Sequence, residues 1–217
     1  MGIIDNTHLE KVVVVSAAND FGRSMTFFYW LTKGRKINVK IERDNIISWR
    51  KFIEAGKKYT GTYKCHKTPD SIAAILYSGG TTGTPKGIML SNKNFNAVAV
   101  QALAMCHAKP GESILAIMPI FHGFGLSVCI HTPLVGGMKC ILIPEFSSKK
   151  FVNLIRKYHP NFIAGVPTLF DSLTRGDFGP NELATVTNAI CGGDSLDPTL
   201  KERVDRFLNE HGSTAIV

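Results

Sequence analysis

From residue 71 onward, short apolar runs alternate with segments of helical periodicity. Residues 72–77 are apolar and bounded by turn residues, and they read as a buried strand. Residues 88–90 form a second short strand. Residues 113–118, 139–143, 161–164 and 185–190 read as further strands, and 214–217 as the start of another. Between them lie helical patterns. Residues 91–104 open on the capping residue Ser91 and continue with good helix formers. Residues 126–134 and 168–173 read as helical. Across 147–158, Phe151, Leu154, Ile155 and Tyr158 recur at helical spacing. Over 200–208, Leu200, Val204, Phe207 and Leu208 share one face, and Gly212 stops the helix. Strands that alternate with helices predict an α/β fold, a largely parallel β-sheet flanked by helices. The front of the chain is less regular. Residues 11–16 predict a strand and 47–56 a helix capped near Ser48. Residues 26–31 are apolar and fit either type, and 57–70 read as an exposed connection.

The segment between the first two strands carries the chemistry. It reads Ser78-Gly-Gly-Thr-Thr-Gly-Thr-Pro-Lys-Gly87. Glycines admit tight turns and close backbone approach to a ligand. Successive N–H groups in such a loop form an anion-binding concavity, to which Ser and Thr hydroxyls and the Lys86 charge add donors. A Walker loop is excluded, because that pattern runs Gly-Lys-Ser/Thr directly into a helix, whereas here Pro85 precedes Lys86 and a short strand follows. On residue chemistry alone, a phosphate grip and a ligand-free Gly/Thr-rich hairpin both remain open.

Composition narrows the class. A chain of 217 residues with 44% hydrophobic content can bury one sizeable core. The net charge of +8 is uneven: residues 1–70 hold 13 basic and 7 acidic side chains, and residues 71–217 hold 12 and 10. The basic residues at the front are dispersed and lack any zinc-ligand or RNA-binding motif, so they read as a solvated face and no nucleic-acid partner is expected. Five widely spaced cysteines without a Cys-x-x-Cys pair predict reduced thiols in a cytoplasmic protein. Residues 113–138 carry no formal charge, yet their prolines, histidines and glycines fit a strand, a turn and a helix better than a membrane span. The N-terminus shows no secretory pattern.

The loop, together with Tyr77, closely resembles the signature loop of the adenylate-forming acyl-CoA synthetase family. That family contains fatty-acid and aryl-acid CoA ligases, firefly luciferase and peptide-synthetase adenylation domains. Gly79 stands where a serine is more common. Three further segments agree in order: Met118-Pro-Ile-Phe-His-Gly-Phe-Gly-Leu126, Gly165-Val-Pro-Thr-Leu-Phe170 and Cys191-Gly-Gly-Asp-Ser-Leu196. The resemblance implies that Ser78, Gly79, Gly80, Thr81, Thr82, Gly83 and Lys86 hold the β- and γ-phosphates of ATP. Lys86, Thr81 and Thr82 would then serve the adenylation step. It puts His122 where acyl group, adenylate and thiol meet; a core histidine is the alternative. It places Gly192, Gly193 and Asp194 against adenine and the acyl carbonyl, with Asp194 open to a second role as a helix cap. Gly-Asp-Ser stands here where many members have Ala-Ala-Pro.

The implied reaction joins a fatty or aryl carboxylic acid to ATP as an acyl-adenylate and then passes the acyl group to coenzyme A, with Mg²⁺ assisting. The alternative is a non-catalytic nucleotide- or acyl-binding module of the same fold. The family's Tyr-Gly-x-Thr-Glu motif, whose Glu serves Mg²⁺, is not found in these residues; neither are its ribose-binding Asp and the Lys-bearing C-terminal domain. No metal-binding residue is therefore assigned. Residues 1–217 are expected to be part of an AMP-binding N-terminal domain, with 1–70 a peripheral strand/helix segment and 71–217 the α/β subdomain carrying the phosphate loop. Alone, the chain is expected not to complete the reaction.

Overall fold

The structure is a computed structural model and describes residues 6–16, 18–19, 21–32, 34, 45–62, 64–79, 84–143, 147 and 150–217. Gly80, Thr81, Thr82 and Gly83 of the predicted phosphate loop lie outside the described residues. The chain divides into two compact units, residues 1–65 and 66–217.

In the first unit, β1 (Val12–Val14) pairs in parallel with β2 (Ile46–Ser48), Val12 opposite Ile46. The ambiguous apolar run at 26–31 is helical, within α1 (Arg23–Thr32). The helix expected from residue 47 starts two residues later, as α2 (Trp49–Lys57). Its cap Ser48 is extended (φ −74°, ψ 153°) and so also ends β2, while its hydroxyl accepts the Lys51 N–H at 3.3 Å.

The second unit opens on an antiparallel ribbon of β3 (Ile72–Ser78) and β4 (Lys86–Ser91). β3 is not the buried strand its composition predicts. Among the described residues the ribbon gains no third strand, so it covers little of its own surface; Ala74, Leu76 and Ser78 are half-buried, and Tyr77 is 76% exposed. Both ribbon faces are apolar in sequence, which hid the distinction. β4 runs directly into α3 (Asn92–Met105) through a reciprocal cap. Ser91 Oγ accepts the Asn94 N–H at 3.3 Å, and Asn94 Oδ1 accepts the Ser91 N–H at 2.9 Å.

The core is a four-stranded parallel sheet in the order β6-β5-β7-β8, with β5 Ser113–Ala116, β6 Lys139–Leu142, β7 Phe162–Gly165 and β8 Asn188–Cys191. Every residue of β5 and β7 is buried, because helices cover both faces of such a sheet. Alternate side chains serve opposite layers. Leu115 and Ile163 pack with Phe151 and Ile155 of α5 (Phe151–Tyr158), Phe170 and Leu173 of α6 (Pro167–Leu173), and Val204 and Leu208 of α7 (Pro198–Glu210). Ile114, Ala116, Phe162 and Ala164 pack with Cys129 and Met138 on the other side. That second layer includes a π-helical segment, Gly125–His131, which continues into α4 (Thr132–Val135). Pro133 has no N–H to offer the Cys129 carbonyl four residues back, and the Cys140 thiol donates to that carbonyl at 2.9 Å.

At the amino ends of the strands, Asn161 is a clasp. Its Oδ1 accepts the Ser113 N–H at 2.9 Å, and its Nδ2 donates to the Thr185 carbonyl at 3.3 Å. The strand expected at 214–217 does not form. Ser213 Oγ accepts the Ala215 N–H at 3.0 Å, and Asp205 Oδ1 accepts the Val217 N–H at 2.8 Å, so side chains take the donors that a ladder would use.

Candidate functional site

Sheets of this kind bind ligands beyond the carboxyl ends of their strands. There the segment after β5 turns sharply: the Pro119 carbonyl accepts the His122 N–H at 3.1 Å, and the His122 carbonyl accepts the Leu126 N–H at 2.9 Å. Gly125 makes the turn possible, since a Cβ at that position would lie 2.2 Å from the Pro119 carbonyl oxygen. His122 is exposed in this structure. Its Nδ1 accepts the Phe124 N–H at 3.2 Å, an arrangement that assigns the neutral ring's proton to Nε2.

The segment after β8 packs against this turn. The Gly192 N–H donates to the Gly165 carbonyl at 3.1 Å, and a Cβ on Gly192 would stand 3.2 Å from the Phe124 ring. Gly193 has φ +85° and would set a Cβ 3.3 Å from a Val166 methyl. The ribbon reaches the same place: a Cβ on Gly123 would lie 3.1 Å from Leu76 Cδ1. Three of the segments singled out in the sequence are thus contiguous through Phe124, Gly165, Val166, Gly192 and Gly193, and Leu76 of β3, next to the loop, meets them at Gly123. Phe124 is the residue that sequence reasoning passed over. The signal for it was an aromatic side chain within a glycine-rich motif, facing a position that allows no side chain.

Ser78 and Lys86 stand directly opposite each other across the ribbon and flank the loop. Such a pair projects from one face of the two strands. Lys86 is exposed and forms no ion pair among the described residues. Gly79 is exposed, with no atom within 4 Å of a Cβ built there. Asp194 is exposed, and its Oδ1 accepts the Ser195 N–H at 2.8 Å. The capping of α7 falls to Asp197, which accepts from Thr199 and Leu200.

Two open clefts border these segments. One, of about 810 Å³, lies between the residues that follow β5 and those that follow β7, among them Ile117, Met118, Val166 and Leu169. The other, of about 530 Å³, lies between the ends of β5 and β6, along Ile117, Ile120, Phe121 and Ile143. Both walls are mainly apolar. Among the described residues, no three His, Cys, Asp or Glu side chains come together.

A sequence model of the AMP-binding enzyme family matches residues 31–216. The chain belongs to the AMP-binding enzyme family. Within it, the chain is 26% identical over 202 residues to a long-chain-fatty-acid–CoA ligase of Bacillus subtilis (strain 168), covering 91% of this chain and 36% of that protein. The anthranilate CoA ligase AuaEII in complex with anthranoyl-AMP superposes with a TM-score of 0.72 at 18% identity, over 99% of this chain and 37% of its own. ATP-bound MatB from Rhodopseudomonas palustris superposes with a TM-score of 0.63 at 24% identity, over 71% of this chain and 31% of its own. At these identities the solved structures speak to the fold: the parallel sheet with flanking helices is that of adenylate-forming enzymes. The chain spans about a third of the length of these family members.

Proposed function

We propose that this chain supplies the nucleotide grip and part of the acyl site of an acid–thiol ligase, which activates a carboxylic acid with ATP as an acyl-adenylate and transfers the acyl group to coenzyme A. The observation that carries the reading is the contact of three motif segments, through Phe124, Gly165, Val166, Gly192 and Gly193, at the carboxyl ends of the sheet, with Leu76 of β3 against the first of them. In this reading Ser78, Thr81, Thr82 and Lys86, with the amides of Gly79, Gly80 and Gly83, hold the β- and γ-phosphates. Donors fixed in place stabilise the negative charge that develops on phosphorus as the carboxylate attacks, and the bound pose supplies proximity. In the same reading Gly192 and Gly193 bring bare backbone to the adenine and the acyl carbonyl, and Asp194 serves as an acceptor for the adenine amino group; its exposure supports this. The apolar clefts suit a fatty or aryl acid. Mg²⁺ arrives with the phosphates, where it offsets their charge. All five cysteines are free thiols, which supports a reducing compartment, the cytoplasm.

His122 separates the two half-reactions. Its Nε2 carries the proton when Nδ1 accepts the Phe124 N–H, so it can donate a hydrogen bond to the adenylate or the acyl carbonyl. The test uses a polypeptide of the relatives' full length containing this segment. Acid-dependent pyrophosphate–ATP exchange reads adenylation, and thioester formation reads transfer. Lys86→Ala is expected to cut the exchange at least about tenfold, in line with a lost charge-assisted contact. His122→Ala is expected to impair thioester formation. Wild-type levels of both reactions in both variants would remove the assignment.

A further inference from the structure

The turn that carries His122 is tied at both ends to one wholly buried residue, Cys129. Downstream, the turn runs into the π-helical segment Gly125–His131, of which Cys129 is part. Such segments are rare and recur at functional sites. Pro133 deprives the Cys129 carbonyl of its α-helical donor, and a buried carbonyl left unpaired is costly. The Cys140 thiol of β6 supplies the missing hydrogen, 2.9 Å from that oxygen. Burial pushes the Cys140 thiol up, so it keeps its proton and remains a donor through neutral pH.

Upstream, the Cys129 sulfur meets the backbone of Met118, the residue before Pro119. Burial pushes the Cys129 thiol up to about 11, and the Met118 N–H, which donates toward the sulfur, pulls the other way. Gly125 adds to the same contact. A Cβ there would lie 3.1 Å from the Met118 carbonyl oxygen and 2.2 Å from that of Pro119. The backbone at 118–119 therefore lies against the π-helical segment at two places, Gly125 and Cys129. Between these anchors run the bonds that shape the turn: the His122 N–H to the Pro119 carbonyl, the Phe124 N–H to His122 Nδ1, and the Leu126 N–H to the His122 carbonyl. Cys140 stands opposite Ile114, near the other end of β5, so its reach to the turn runs through Cys129. All of these groups belong to the second unit.

We propose that Cys129 and Cys140 are positioning residues for His122: the Cys140 S–H fixes the carbonyl that Pro133 leaves bare, and the Cys129 sulfur holds Met118, so both ends of the turn are fastened to one helical segment. The proposal rests on the role given to His122 above.

Hydrogen exchange of single backbone amides in the 217-residue chain needs no catalysis, so it tests the clamp apart from the reaction. Cys140→Val removes the donor, and Cys140→Thr, of the same shape, keeps one. In Cys140→Val, protection of the Met118, Phe124 and Leu126 amides is expected to fall about tenfold relative to Ile163 in β7, the worth of one hydrogen bond. Cys140→Thr should recover most of it. Cys140→Ala and Cys140→Ser repeat the contrast with less bulk, and circular dichroism checks the fold of each. Cys129→Ala, which keeps the backbone carbonyl and removes the sulfur, should lower Met118 protection most. Equal protection of the three amides in donor-bearing and donor-free variants overturns the proposal, as does a loss that Ile163 shares in full. Unchanged Met118 protection in Cys129→Ala overturns it too.

Discussion

Gly79 and Gly193 both belong to the candidate site, yet the backbone requires glycine only at the second. Gly193 has φ +85°, a conformation that costs an L side chain about 1–3 kcal/mol, and it faces a Val166 methyl. Gly79 lies outside the left-handed region and has open space around it. Gly193→Ala is therefore expected to lower stability by about 1 kcal/mol or more, and Gly79→Ser to leave it within about 0.5 kcal/mol, both read by thermal melting. In the proposed phosphate grip the added Ser hydroxyl should also tighten ATP binding up to about fivefold, the worth of one net hydrogen bond. A stable Gly193→Ala variant or an unfolded Gly79→Ser variant would contradict this geometry. Both glycines were readable as motif members. Which one needs glycine was not, because the positive φ of Gly193 and the Val166 methyl that faces it belong to the folded chain and leave no mark in the motif.

At the scale of elements, the alternation of apolar runs and helical spacings located the strands and helices of the second unit to within a few residues. Two failures share a cause: an apolar run does not disclose its partners. β3 was expected to be buried and is half-open, because among the described residues its one partner strand is β4. Residues 214–217 were expected to extend and pair, but Ser213 and Asp205 take the N–H groups of Ala215 and Val217. Element ends also set the response to acid. Arg156 donates to Glu182 from Nε and Nη2, with the Gly179 N–H adding to it, and this holds the Glu182 carboxyl below the usual range. At the start of α7, the Leu200 N–H, then the Thr199 hydroxyl and N–H, do the same for Asp197. A lowered folded-state pKa stabilises the fold fully above the unfolded value, near pH 4, and the contribution is lost as pH falls through the folded value. Melting temperature is expected to hold down to about pH 5 and to fall below about pH 4. The fall should be shallower in a Glu182→Gln/Asp197→Asn variant, and both partners' exposure makes the effect weaker in salt. An identical acid limb in the two proteins would exclude these carboxyls as its source.

For the molecule as a whole, the fold class was legible because both parallel-sheet layers are built from short-range patterns. The candidate site was legible because its glycines, hydroxyls and lysine are adjacent in sequence. The meeting of β3, the His122 turn and Gly192 was not, since it depends on Phe124 and Leu76, whose apolar character suits any core position. Exposure along β3 and α1 likewise became visible only once the strands and helices had partners. The proposed phosphate grip rests on one cation above all: Lys86, exposed and opposite Ser78 at the mouth of the ribbon. The most direct measurement is calorimetric titration of ATP into the 217-residue chain and into its Lys86→Ala variant, both checked for folding by circular dichroism. The expected result is saturable binding to the wild type, weakened by about tenfold or more in the variant. Equal ATP affinity in the two folded proteins, or none in either, would contradict the account.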